Sequence, residues 1–100
     1  MKEYGHIEKM ETIRVQHEEA LKELERVLDF LEGHQAEFVS LVEYYGSDQR
    51  RQDLADEEQH LIPSTMKRGV LSEDEIYFLM MDYRDAAIRM LEVAAPMLKV

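Results

Sequence analysis

Hydrophobic residues recur in a heptad pattern through the first 45 residues of the chain. No proline lies in this segment, and the spacing predicts one helix over residues 3–45. The inward positions are Ile7, Met10, Arg14, His17, Leu21, Leu24, Leu28, Leu31, Gln35, Phe38, Val42 and Tyr45. A flanking row adds Ile13, Ala20, Val27, His34 and Leu41. The apolar face is therefore wide in places, which favours burial in a bundle over a simple two-stranded zipper.

Polar residues and one glycine interrupt this stripe. Gly33 is the weak point of the predicted helix, because glycine in a helix interior costs roughly 1 kcal/mol relative to alanine. The stripe resumes in phase at Phe38, so the pattern predicts a continuous helix that bends near Gly33 if anywhere. Arg14, His17 and Gln35 are polar positions of the kind that fix register or partner choice in coiled coils. The alternative is that their side chains reach past the apolar face to solvent.

A short second helix is predicted over residues 48–58. Gly46 stands where a helix end often takes a positive φ, and Ser47 is a good residue to cap the next helix. Only Leu54 and Ala55 are apolar within the segment. We therefore expect this helix to be the least stable element.

A third helix is predicted over residues 73–98. Pro63 ends the preceding segment, and Ser72 with Glu75 three residues later matches a capping box. The apolar residues that follow recur at helical spacing as far as Leu98. The sequence thus predicts a single all-α domain over residues 1–100. Its long first helix would pack against the short helix and the last one, as a three-helix hairpin or bundle with coiled-coil character.

The charge balance narrows the classes of partner. The chain carries 22 acidic and 12 basic residues, a net charge of −10. Such a protein is repelled by nucleic acid and by anionic membrane surfaces, so we expect it to bind neither directly. Only residues 46–71 are near balance, with five acids and four bases. The basic pairs of that segment are Arg50–Arg51 and Lys67–Arg68.

Composition also bears on location and on chemistry. The chain has no cysteine, which excludes disulfides, thiolate catalysis and zinc sites that need cysteine ligands. The charged amino terminus does not match a signal peptide, and the longest apolar run is Tyr77 to Met81. We expect a cytoplasmic protein. No catalytic triad pattern or glycine-rich phosphate loop occurs, so we expect neither an enzyme nor a bound cofactor.

Glu-x-x-His is the one pattern with metal-binding chemistry, and it occurs at Glu3–His6 and at Glu57–His60. Pairs of this spacing help to hold two metal ions in ferritin-like helical bundles, because residues three apart share a helical face. The first pair lies at a frayed terminus and the second at the end of the weakest helix. We therefore assign no metal site and keep these four residues as candidates only.

Contact residues are predicted at the junctions between helices. Tyr44 and Tyr45 stand at the first junction, and Lys67 and Arg68 add basic charge just before the last helix. The alternative for the basic pair is simple ion pairing with acids of the first helix. The alternative for the tyrosines is a position at the edge of the core, with hydroxyls that reach water.

Two short motifs resemble a known family. They are Tyr44-Tyr45-Gly46-Ser47 and the run from Lys67 to Asp74, which reads KRGVLSED. With the long Glu-rich first helix, they make the chain similar, over nearly its whole length, to the small acidic bacterial proteins known as Domain of Unknown Function 4298. An aromatic residue that commonly follows the Gly-Ser turn in that family is absent near Arg51 and Leu54. The resemblance implies an all-helical, cytoplasmic bacterial protein without an established activity or cofactor.

Three classes of function remain open at this point. The first is a non-enzymatic interaction or regulatory module that uses helical surfaces, most simply as a homodimer. The second is an acidic protein that occupies the basic groove of a nucleic-acid-binding partner. The third is a helical bundle that binds metal through carboxylate and histidine side chains.

Overall fold

The structure is a computed structural model that describes residues 2–100. Four α-helices make up most of it: α1 (Gly5–Gly33), α2 (Gln35–Tyr45), α3 (Asp48–Glu58) and α4 (Glu75–Met97). A short 3₁₀ turn at Gly69–Leu71 precedes α4. The predicted all-α fold class is confirmed, and residues 2–100 contain no strand. Within the same range, no helix combines the length and the apolar character that crossing a membrane requires.

His34 divides the segment that the sequence predicts as one helix. The backbone of His34 leaves the helical region, with φ −115° and ψ 15°. Its backbone N–H donates to the carbonyl of Phe30, and its ring stacks on the Phe30 ring at 4.1 Å. The prediction of a continuous helix over residues 3–45 is therefore wrong. The low helix propensity of Gly33 weakens the last turn of α1, and the His34 side chain, stacked on Phe30 with Nδ1 2.9 Å from the Phe30 carbonyl, packs at the interruption.

The second predicted helix is confirmed at both ends. Ser47 has extended backbone angles, and its hydroxyl accepts a hydrogen bond from the N–H of Arg50 at 3.1 Å. The helix then runs from Asp48 to Glu58. Gly46 does not take a positive φ, so that part of the prediction is wrong. The Ser47 hydroxyl also donates to the Tyr44 carbonyl at 2.7 Å, which closes the tight turn without the left-handed conformation.

The last helix begins two residues later than predicted. The Ser72 hydroxyl accepts from the Glu75 N–H at 3.1 Å, as the capping box requires. The reciprocal bond is missing, because the Ser72 N–H donates to the Gly69 carbonyl at 3.0 Å. The Glu75 carboxylate instead lies against Gly69, at a position where a side chain on residue 69 would meet it. The Ser72 hydroxyl therefore satisfies the first N–H of α4, whereas the Glu75 carboxylate lies beside the 3₁₀ turn and does not close the box.

Packing divides the chain into two compact units, the first ending at Glu37 and the second running from Phe38 to Val100. No residue of α1 is buried. In the second unit Ile76 is buried, only 2% exposed, and residues 2–100 hold no other buried apolar side chain. The rings of Phe38 and Tyr83 stack at 3.8 Å, which brings the start of this unit against α4. The arrangement of all the helices as a three-helix bundle stays a prediction.

Candidate interaction site

Arg50 organises the turn between α2 and the short α3. Its guanidinium lies over the Tyr45 ring, 4.9 Å from the centroid. The same group donates to the carbonyl of Val70 at 3.2 Å and to the carbonyl of Ser72 at 3.0 Å. One side chain thus ties the Tyr-Tyr-Gly-Ser turn to the 3₁₀ turn before α4. Arginine suits this task because its planar fork offers several donors in fixed directions.

Tyr44 faces α3 and forms a hydrogen-bonded pair there. Its hydroxyl donates to the Asp53 carboxylate at 2.6 Å, and the Gln49 side chain donates to the other Asp53 oxygen at 2.9 Å. Desolvation and then the bond to Asp53 raise the pKa of Tyr44 above its ordinary value. The bond from Tyr44, followed by that from Gln49, lowers the pKa of Asp53 below its ordinary value. Both shifts mean that the pair is most favourable with Tyr44 protonated and Asp53 ionised.

Replacing Tyr44 with phenylalanine should lower the melting temperature at neutral pH, and the loss should shrink in acid. Because the folded-state pKa of Asp53 is depressed, its contribution is present above the ordinary value of 3.8 and is lost as pH falls through the folded-state pKa. Thermal unfolding of both proteins, followed by circular dichroism from pH 7 down to pH 2, measures this. A difference in melting temperature that stays constant with pH would contradict the pairing.

Arg68 is held by the loop and by α3. Its guanidinium donates to the Pro63 carbonyl at 2.9 Å, and its Nε lies 3.0 Å from Oε2 of Glu57. That Glu57 oxygen is buried and receives no aligned hydrogen bond, so its contact with Arg68 is purely ionic. The alternative for Arg68 was an ion pair with an acid of the first helix. Arg68 does form an ion pair, but with Glu57 of α3. Lys67 makes no ion pair among residues 2–100.

A groove of about 320 Å³ brings three of the four predicted contact residues together. Tyr44, Lys67 and Arg68 line it, as do Asp53 and Asp56 of α3. The rest of its wall is mainly apolar and comes from the loop between α3 and α4, at Leu61, Ile62, Pro63, Met66, Val70 and Leu71. Tyr45 does not line the groove, because it stacks with Arg50. The groove combines an apolar floor, a hydroxyl that donates to a carboxylate, and the ammonium of Lys67.

A second, shallower groove of about 440 Å³ lies beside the only buried side chain of the described chain. Its apolar side chains are Leu41, Val70, Ile76, Phe78 and Leu79. Glu75 and Asp82 lie at its edge and give it an acidic border. No functional residue was predicted here, since the helical spacing of these positions reads as ordinary core.

The metal-binding candidates do not share helical faces as their spacing requires. Glu3 precedes the first residue of α1, so Glu3 and His6 are not on one helical turn. Glu57 is in α3 and pairs with Arg68, whereas His60 lies beyond the end of that helix. Residues 2–100 contain no group of three or more His, Asp or Glu side chains placed to hold a metal ion.

His60 ends α3 in a left-handed conformation. Its φ is +59°, and no other non-glycine residue among residues 2–100 has a positive φ. The His60 N–H donates to Glu57 and the Leu61 N–H donates to Asp56, both at 3.0 Å. These two bonds are those of a Schellman motif, in which the left-handed position is usually glycine. His60 therefore bears backbone strain that a glycine would not.

Replacing His60 with glycine should raise the free energy of unfolding by about 1 kcal/mol, because it relieves the left-handed strain. Urea unfolding, followed by circular dichroism, measures the change. Gln59→Gly is the matched control. Gln59 has φ −87°, so glycine there gains nothing and should destabilise the protein. A His60→Gly protein no more stable than the wild type would contradict the assignment of strain.

The first unit presents a surface of its own on α1. Eight of its large apolar side chains are between 36% and 57% exposed, among them Ile7, Leu21, Leu24 and Phe30, whereas Leu28 and Leu31 are half-buried. Arg14, predicted on the stripe, points away from it. Its guanidinium bonds to Glu11 and also to Glu18, the latter at 2.6 Å. His17 turns its ring back on its own helix, where Nδ1 is 2.7 Å from the Ile13 carbonyl.

Sequence reasoning missed Arg50, Asp53 and Ile76. Arg50 and Asp53 lie on the short helix, where the scarcity of apolar residues directed attention elsewhere. Both residues follow the Ser47 cap and so are expected in a helix. The sequence around Arg50 does not show that its side chain reaches Val70, twenty positions away. Ile76 is one of several apolar residues that recur at helical spacing in the last predicted helix, and nothing in that spacing distinguishes it as the buried one.

The comparisons with known proteins give one match. A family model described as "Domain of unknown function (DUF4298)" matches residues 7–93. This range includes all but the first two residues of α1 and the whole groove-lining loop. No curated protein and no solved structure matches the chain.

Proposed function

Since this chain belongs to the DUF4298 family, for which no activity is described, we propose a function from its surfaces: it is a non-enzymatic interaction or regulatory module of the bacterial cytoplasm. The observation that carries the proposal is the imbalance between buried and exposed apolar residues. Ile76 is buried, whereas large apolar side chains on α1 and α4 are exposed. Contiguous apolar surface of this extent is typical of interaction sites.

The proposed partner of α1 is a second copy of the chain, in a two-fold dimer. Identical chains most often associate in this symmetry, and the apolar stripe repeats over enough heptads to form such an interface. The bundle layout is part of the proposal within the second unit, where α3 and α4 pack against the end of the predicted first helix. The Phe38–Tyr83 stack supports it by joining α2 to α4 within the second unit.

Sedimentation equilibrium of the purified protein at tens of micromolar tests the dimer. The expected mass is twice the 11.8 kDa of one chain. A mass of 11.8 kDa over the whole concentration range would refute self-association. The mass should also change little with added salt, because the proposed contact is apolar rather than ionic.

We further propose that the groove lined by Tyr44, Lys67 and Arg68 is a contact site for another protein. Lys67→Ala should leave the melting temperature unchanged, because that side chain makes no ion pair among residues 2–100. Arg68→Ala should lower the free energy of unfolding by about 1 kcal/mol, because the Pro63 and Glu57 contacts are lost. A tagged pull-down from the native host, with wild type and Lys67→Ala side by side, then separates contact from structure. Equal recovery of every partner by both proteins would contradict a contact role for Lys67.

The excess of acidic residues supports a second candidate, in which the protein occupies a basic groove of a nucleic-acid-binding partner. The net charge of −10 would provide the attraction. Such a complex would weaken steeply between low and physiological salt, whereas an apolar complex would not. Any partner recovered in the pull-down can be assigned to one class by this measurement.

A further inference from the structure

We propose that two copies of α1 associate in parallel and in register, with the seam formed by the heptad positions from Ile7 to Leu31. This inference rests on the proposed function and specifies the geometry of the same dimer. It follows from the two rows that border the seam, which differ completely in character.

One border of the seam is acidic and the other is apolar. With Ile7 at heptad position a and Met10 at position d, one border of the seam consists of the e positions. Glutamate occupies the e position of four successive heptads: Glu11, Glu18, Glu25 and Glu32. The other border consists of the g positions, which hold His6, Ile13, Ala20 and Val27. Because residues at the e and g positions contact the partner helix, this row of four glutamates affects which orientation of the partner is favourable.

Antiparallel pairing would set the two glutamate rows beside each other. In an antiparallel pair, each border of one helix faces the same border of the other, so acid would meet acid along one side of the seam. Glu25 and Glu32 have no cationic partner in residues 2–100 that would offset this repulsion. Like charges side by side disfavour an arrangement and select against it.

Parallel pairing places each glutamate row beside the apolar row of the other helix. The two rows then lie on opposite sides of the dimer, and the methylene groups of the glutamates can cover the apolar side chains while the carboxylates stay in water. In-register pairing also sets the four leucine layers, from Leu21 to Leu31, against themselves.

Arg14 supports the same arrangement. It is the one cation at an inward position of α1, and two copies would meet there in a parallel pair. The structure shows its guanidinium displaced to the glutamate border, bonded to Glu11 and Glu18. Because the glutamate borders of a parallel pair lie on opposite sides, the two guanidinium groups are kept apart and each is neutralised by its own helix.

The absence of cysteine allows a direct test by single-cysteine cross-linking. Met10→Cys and Leu31→Cys occupy the same heptad position at the two ends of the seam, about 31 Å apart at 1.5 Å per residue. In a parallel in-register dimer, each variant cross-links to itself on oxidation or with a short bis-maleimide. Thr12→Cys, which lies on the outer face beside Met10, is the control and should cross-link little.

The outcomes separate this inference from the proposed function. The parallel pair is supported if most of the protein is recovered as covalent dimer for both Met10→Cys and Leu31→Cys, and little for Thr12→Cys. Self-linking at only one of the two positions, or at neither, overturns it, because an antiparallel axis passes near one point of the helix at most. If sedimentation still shows a dimer, the proposed dimer stands with another orientation; if it shows a monomer, the dimer and its orientation are both refuted, and the groove remains as the proposed contact site.

Discussion

Ile76→Ala is expected to lower the free energy of unfolding by about 2–5 kcal/mol, the range measured when a buried isoleucine or leucine is truncated to alanine. Ile76 is 2% exposed, and no other apolar side chain among residues 2–100 is buried. The loss combines the apolar surface no longer removed from water with the cavity left beside Leu41 and Val70. Since small domains have only about 5–15 kcal/mol of stability, this single change should remove a large part of it.

Urea unfolding followed by circular dichroism measures this loss. Leu91→Ala is the matched control, in the same helix and of similar volume, but 74% exposed. Its cost should stay within about 0.5 kcal/mol at concentrations where the chain is monomeric, as for most surface positions. Equal losses for the two variants would mean that Ile76 is not the centre of the folded second unit.

The elements that depend on local chemistry are those that the sequence predicts best. Ser47 caps α3, and the helix that follows has the predicted bounds, because the serine hydroxyl satisfies an N–H three residues away. The start of α4 is displaced because the Ser72 N–H bonds to the Gly69 carbonyl within the 3₁₀ turn instead of to the Glu75 carboxylate. The break at His34 was missed because the apolar stripe keeps its phase across it. A periodic pattern indicates which face of a helix a residue lies on, but it does not show whether the helical backbone is continuous from one turn to the next.

The candidate site was only partly accessible from the sequence, because its assembly requires contacts between distant residues. Tyr44, Lys67 and Arg68 were each selected for their chemistry, and the structure places all three around one groove. The side chain that holds that groove together, Arg50, reaches carbonyl groups of Val70 and Ser72. Backbone carbonyls are present at every residue, so no sequence pattern marks these two as its partners.

Leu24→Glu is expected to dissociate the dimer. Leu24 is an inward position of the seam, and each dimer would contain two such glutamates without partners in an apolar layer. Losing two leucine side chains from the interface should cost about 4 kcal/mol or more, which corresponds to roughly a thousandfold weaker association. Sedimentation equilibrium at tens of micromolar should then give the 11.8 kDa mass of a single chain.

Val15→Glu is the control that makes this result specific. Val15 is 36% exposed and Leu24 is 40% exposed, so exposure in the single chain does not distinguish them. The two residues differ in heptad position: Leu24 is in the seam, whereas Val15, directly after Arg14, lies outside it. Glutamate is a good helix former, and both variants should retain their helix content by circular dichroism. If both variants dissociate the dimer, added negative charge is the cause; if neither does, association uses another surface, of which the exposed apolar face of α4 is the next to test.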